Sequence, residues 1–264
     1  MHVEDFTSAI HPRWQRYLQG KGELALTGHS LRLVNRDTNC DAYTNAQIDD
    51  YQGLSRRRFP WRPPLYLGLR ARFSHPQAEL CGTAGFGFWN DPFMMTGRRL
   101  PTLPQAIWFF FSSPPSNMKL DLGVPGHGWK AATLNVRCWP FLLLLPIAPV
   151  AVPLMNLRPL YRILWPVGQR AIGVRESILN VEMTEWHTYE LEWGIRAARF
   201  LVDAAPALVC DSAPQGPLGF VMWLDNQFAI VTPWGHFGHG LLEAPGEQWL
   251  EVDNLIIRDE KETT

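Results

Sequence analysis

The chain has 264 residues, of which 46% are hydrophobic and 19% charged, and its formal net charge is −1 at pH 7. That is enough apolar material for a sizeable core, and the balance gives no overall attraction to nucleic acid or membrane, so any electrostatic steering must come from a local patch. Cys40, Cys81, Cys138 and Cys210 are scattered without CxxC or zinc-finger spacing, which predicts reduced thiols and no metal or other cofactor. The opening MHVEDFTSAIHPRW shows no apolar run after a basic start. No secretory leader is read there, and a cytoplasmic location is expected.

In chain order, ELALTG and SLRLVN flank Gly28-His29 and predict a hairpin. AQIDDY, YLGLRARF, GTAGFGFW and AIWFFFSS follow as β-rich runs, each bounded by Gly, Pro, Asn or Ser. WKAATLNV precedes a long apolar interval, after which come SILNVEM, WHTYELEW and ARFLVD. GFVMWLD, FAIVTP and WLEVDNLIIR close the chain. About a dozen strands and few helix-period segments predict an all-β sandwich. No repeat or linker divides it, so one domain over residues 1–264 is expected.

The interval is unusual. No acidic residue occurs between Asp121 and Glu176, and from Cys138 to Leu157 (CWPFLLLLPIAPVAVPLMNL) there is no charge. The neighbouring charges are all cationic: Lys130, Arg137, Arg158, Arg162, Arg170 and Arg175. The run is long enough to cross a bilayer. However, Pro140, Pro146, Pro149 and Pro153 would each cost about 3 kcal/mol inside a helix and leave backbone groups unpaired in lipid. An insertion over about residues 140–173 is expected instead, with a helix from Pro153 to Trp165 striped by Leu154, Leu157, Tyr161 and Leu164. Two roles stay open for it. One is a lid that hides Phe141, Leu142, Leu143, Leu144 and Leu145 over a cleft. The other is peripheral membrane contact through 138–175, with those side chains at the headgroup boundary and Arg158 and Arg162 facing anionic lipid.

WHTYELEWGIRAARFLVDAAPAL, Trp186 to Leu208, resembles the paired strands of family 16 glycoside hydrolases and their laminarinase relatives. YTNAQIDDY, YLGLRARFS and WLEVDNLIIR resemble, in the same order, that family's early, "YGRFEARIK" and closing strands. The resemblance spans most of the chain outside the insertion. It implies a concanavalin A-like jelly roll with a cleft across one sheet. The family's chemistry uses a Glu-x-Asp-x-x-Glu strand, whose two glutamates lie about 5–5.5 Å apart in retaining enzymes. The corresponding strand here, PQAIWFFFSS, places Gln105 at the nucleophile, Ile107 at the Asp and Phe109 or Phe110 at the acid/base. A degenerate, non-hydrolytic site with an apolar floor is expected.

Further candidates surround that strand. Trp89, Trp108, Trp223 and Trp234 offer rings for stacking, while Asn90, Asp225, Asn226 and His236 offer polar contacts for a ligand. Asn90-Asp91-Pro92 is equally a turn former, and Asp225-Asn226 an Asx turn. If catalysis survives by other groups, Asp91, Asp225, His236 and His239 are the residues to carry it. Two histidines in the Gly-rich TPWGHFGHG do not define a metal site. SRRRF lacks the interleaved aromatics and basic balance of a nucleic-acid interface. A small molecule, hydrophobic or glycan, is the expected partner. A hydrophobic or amphiphilic ligand is placed ahead of a pure carbohydrate, and a membrane-surface module is kept as a further alternative.

Overall fold

The structure, a computed structural model, describes residues 1–93, 100–136 and 139–260. Its strands are β1 (His2–Glu4), β2 (Gln15–Gln19), β3 (Gly22–Leu26), β4 (Leu31–Thr38), β5 (Asn45–Asp49) and β6 (Leu65–Phe73). Then come β7 (Thr83–Trp89), β8 (Gln105–Ser112), β9 (Gly128–Asn135), β10 (Arg175–Ile178), β11 (His187–Trp193) and β12 (Ala198–Val202). The last five are β13 (Ala205–Cys210), β14 (Gly219–Asp225), β15 (Gln227–Val231), β16 (Phe237–Leu241) and β17 (Ala244–Asp259). Helices α1 (Trp139–Leu144), α2 (Ala148–Leu154) and α3 (Arg158–Ala171) lie between β9 and β10.

Two sheets stack face to face. The first runs β13-β12-β11-β6-β17-β4-β3, with β1 also on β17, and the second runs β10-β9-β8-β7-β14-β5-β2; β15 and β16 form a separate hairpin. Alternation decides what lies between them. Phe86 and Phe88 of β7, Phe109 of β8 and Trp129 of β9 point inward and meet Tyr189, Trp193 and Phe200 of the first sheet. Ring centroids are 5.2 Å apart for Phe86–Tyr189 and for Phe109–Phe200, and 5.4 Å for Phe88–Trp193. Each such side chain contributes roughly 1.5–3 kcal/mol of burial, and this makes the inter-sheet layer the main core.

The all-β expectation holds, with local differences. SILNVEM yields strand only to Ile178. The short edge strands β2 (QRYLQ) and β13 (APALVC) do not stand out in the sequence, the first because it is polar and the second because Pro206 interrupts it.

The expected helix from Pro153 to Trp165 is broken at residues 155–157. Pro159 then sits in the first turn of α3, where a proline costs little. Tyr161 and Leu164 do pack inward, with Met155, Trp165 and Phe141, against Leu120, Leu122, Leu134 and Trp234. Leu154 and Leu157 are exposed instead. Trp165 Nε1 donates to the Leu120 carbonyl at 2.7 Å, and Asn156 Nδ2 to the Trp234 carbonyl at 3.2 Å. Only Phe141 of the proposed lid residues joins this cluster. Leu142, Leu143 and Leu145 are exposed, so the segment does not hide the 141–145 run. Arg137 and Cys138 lie outside the described residues.

Candidate functional site

The outward face of the second sheet can be read off its register as rows running across the strands. One row is Glu176, Ala132, Trp108, Gly87, Val221, Asp49 and Gln15. The next is Ile178, Lys130, Phe110, Gly85, Trp223, Gln47 and Tyr17. Leu134, Ala106 and Trp89 flank them on one side, and Ser112, Thr83, Asp225 and Asn45 on the other. The middle of the face is therefore aromatic, the edge at Leu134, Ala106 and Trp89 is apolar, and the opposite edge and the two row ends are polar.

Four rings pave the middle. Trp108 lies 5.2 Å from Phe110 with the two planes 20° apart, 5.3 Å from Trp223 and 5.8 Å from Trp89. Phe110 and Trp223 are 5.9 Å apart. Gly85 and Gly87 of β7 make this possible, because a Cβ at Gly85 would stand 2.9 Å from Trp223 Cη2 and one at Gly87 2.6 Å from Trp108 Cβ. Trp89 and Trp223 are buried and their indole N–H groups are satisfied: Trp89 Nε1 donates to Tyr51 Oη at 2.7 Å and Trp223 Nε1 to Thr83 Oγ1 at 2.9 Å. Trp108 and Phe110 are half-buried, and theirs are the ring faces that the band offers.

The polar margins hold buried charges. On one side Asp49 accepts from Gln47 Nε2 at 2.8 Å and Gln52 Nε2 at 2.7 Å; burial pushes its carboxyl above the usual range against those bonds. On the other, Lys130 Nζ lies 3.3 Å from Glu176 Oε2. Burial pulls the Lys130 pKa down and pushes that of Glu176 up, and their mutual attraction opposes both shifts. Asp49 and Glu176 sit in one row five strands apart, about 24 Å at the usual strand spacing. Asp49 and Asp225 are four residues apart along adjoining strands, about 13 Å. No acid lies on β7 or β8. Neither pair, Asp49 with Glu176 nor Asp49 with Asp225, is at glycosidase spacing.

The sequence-derived candidates separate accordingly. Trp89, Trp108 and Trp223 reach the outward face together. Ile107 and Phe109 do not: both are fully buried between the sheets, because the strand's side chains run one residue out of phase with the expected register. Ala106, Trp108 and Phe110 occupy the face in their place. Gln105 ends the strand on the inner phase and donates to Asn135 Oδ1 at 2.7 Å.

Asp225 is buried on the face, but Thr83 Oγ1 (2.8 Å), the Gln227 and Thr83 N–H groups (3.0 and 3.3 Å) and Tyr43 Oη (3.4 Å) all donate to it. Burial raises its pKa to about 6. That saturated environment is a structural brace and not a free acid or base. Asn226 spans three carbonyls, of Asn39, Ala42 and Leu242, and is likewise structural. Asn90 ties the end of β7 to Gln105 N and the Leu103 carbonyl. Asp91 is buried at φ 45°, with Arg56 donating to its carbonyl at 2.5 Å. His236 and His239 are exposed in the β15–β16 hairpin, and Trp234 there packs on Tyr161 at 5.2 Å. None of the three joins the ring band.

Sequence reading missed Gln47, Asp49 and the Lys130–Glu176 pair, and it favoured Phe109 over Phe110. The glycine–phenylalanine alternation of TAGFGFW was the available signal: its glycine face had to oppose something bulky. A lone lysine in WKAATLNV was another.

No protein-family model matches the chain, and no curated protein does. Solved structures do. The κ-carrageenase of Pseudoalteromonas carrageenovora, in complex with an oligotetrasaccharide of κ-carrageenan, superposes with a TM-score of 0.58 at 9% identity, over 97% of this chain and 92% of that one. A GlcNAcα1-4Gal-releasing endo-β-galactosidase from Clostridium perfringens gives 0.53 at 13% identity, over 97% of this chain and only 61% of that enzyme. A family 16 endo-glucanase from Bacteroides ovatus gives 0.52 at 10%, over 97% and 99%. At such identities what is shared is the architecture, and the chain therefore has the jelly-roll β-sandwich fold of the family 16 glycoside hydrolases.

Proposed function

We propose that the chain binds, without hydrolysing it, an amphiphilic molecule on the outward face of its second sheet. The observation that carries this is the band of Trp89, Trp108, Phe110 and Trp223, set on strands of which β7 and β8 bear no carboxylate. Double displacement at a glycosidic bond needs two carboxyl groups about 5–5.5 Å apart, and β8 offers Ala106, Trp108 and Phe110 on that face. An apolar centre with polar ends at Asp49–Gln47 and Lys130–Glu176 suits a ligand whose middle is apolar or flat and whose ends are polar.

A second reading, a pure carbohydrate ligand, draws on the near-parallel Trp108 and Phe110 rings, a platform on which a sugar face can stack. It also draws on the oligosaccharide bound by the κ-carrageenase. Titration of tryptophan fluorescence with alkyl glycosides and with laminari- and carrageenan-oligosaccharides separates the two readings. Saturation by the alkyl glycosides alone, weakened in Trp108→Ala, is the expected result. Saturation by the unmodified oligosaccharides establishes the second. Release of reducing ends that disappears in Glu176→Gln or Asp49→Asn overturns the non-hydrolytic assignment.

A further inference from the structure

Helices α1 to α3 have two apolar sides. The inner one is tied down by Trp165, Met155 and Tyr161, by the Trp165–Leu120 hydrogen bond and by Gln169, which accepts from Leu122 N at 3.0 Å and donates to Asp121 at 2.5 Å. The outer one is left uncovered: Trp139 is 78% exposed, Leu143 71%, Ile163 67% and Val150 65%, with Ile147 and Val167 beside them in sequence. Isolated surface apolar residues need no explanation, but six on one short segment call for one.

The charges on the same helices have one sign. Arg158, Arg162 and Arg170 are exposed and have no acidic partner among the described residues. The acids nearest in sequence are engaged elsewhere: Asp121 with Gln169, and Glu176 with Lys130. Arg175 is not in the set, because it pairs with Asp211 at 3.4 Å. Among the described residues no helix is long and apolar enough to cross a membrane. A second copy of the chain is a poor cover, because an isologous contact would set arginines against arginines.

We infer that the outer side of α1–α3 docks reversibly on an anionic lipid bilayer. The apolar side chains enter the headgroup boundary and the three arginines meet lipid phosphates, the composition of an in-plane interfacial element. The inference stands apart from the ligand of the ring band, and the two fail separately.

The test is co-sedimentation of the full chain with vesicles of phosphatidylcholine alone or containing about 30% phosphatidylglycerol, at low and at high salt. Binding is expected only with the anionic vesicles. Arg158→Gln combined with Arg162→Gln should weaken it roughly tenfold or more. Leu143→Glu and Ile163→Glu, both at exposed positions, should abolish it while unfolding at the wild-type temperature. Trp108→Ala should bind vesicles as the wild type does. Equal pelleting with neutral vesicles, or binding that none of the helix variants changes, overturns the inference. So does a lipid-free dimer that Leu143→Glu dissociates, because the face would then belong to a second copy.

Discussion

Both sheets turn tryptophans outward, and the two faces treat them differently. On the first sheet Arg32 lies over Trp249 at 4.4 Å and Arg72 over Trp186 at 4.8 Å. The same guanidinium groups reach Glu251 at 3.2 and 2.9 Å, and Arg70 reaches Asp253 at 3.2 Å. Tyr66 donates to Glu190 at 2.7 Å. Rings there are roofed by charge, and the face is an ordinary solvated surface. On the second sheet Trp108 stacks on Phe110, Trp223 packs at a tilt against both, and among the described residues no guanidinium covers them. Aromatic content alone thus says little about binding; what separates the faces is whether charge has already taken the rings.

The largest effect expected from disturbing this contrast lies at the edge of the band. Lys130→Met leaves Glu176 buried without its partner and should cost about 3–5 kcal/mol, read from denaturant midpoints. Lys130→Met with Glu176→Leu should recover most of that loss. If the single change is silent, the pair is solvated and the margin is not a buried polar end.

Next is a pH dependence arising beneath both faces. Burial raises the pKa of Asp50 to about 7, against hydrogen bonds from Trp61 Nε1 and Phe220 N. The folded carboxyl keeps a proton that the unfolded chain releases, so stability should fall as pH rises from about 4 to about 7. The expected loss is about 4 kcal/mol at most. Below about pH 4 both states are protonated and the dependence vanishes. Asp225 adds a smaller loss of the same sign, complete near pH 6. Asp50→Asn should flatten the profile measured by thermal unfolding; an unchanged profile would assign the titration elsewhere.

Smaller still, Trp108→Ala should weaken alkyl glycoside binding about tenfold, or ~1.4 kcal/mol, as measured by calorimetry. Least of all, Arg70→Ala on the opposite face should shift stability by under about 1 kcal/mol and leave ligand affinity untouched. A matching loss of affinity in both variants would erase the distinction between the faces.

How much of this the sequence disclosed depends on local contrast. YLGLRARF and WHTYELEW alternate clearly, and their strands fall as expected. AIWFFF is apolar at every position, so nothing in it says which phase faces in, and the expectation of an outward Ile107 and Phe109 fails for that reason. The Asp225 and Asn226 candidates fail for a related one: a polar side chain that ends a strand looks the same whether it awaits a ligand or braces a loop. The prolines of the apolar run foretell broken helices. Its exposure depends on what the far side of α3 packs against, which only the folded chain reveals.

Gly85 has one more consequence. A Cβ there would stand 2.3 Å from the Phe109 carbonyl oxygen as well as against Trp223, so even alanine must lift a ring or push β7 and β8 away from each other. The missing methyl acts as a gauge: it fixes how close Trp223 lies to the backbone, and so the level at which anything resting on the rings meets the carboxamides and charges at the margins. A thin planar molecule and a puckered one would stand at different heights above that level, and only one of them could touch rings and rim together.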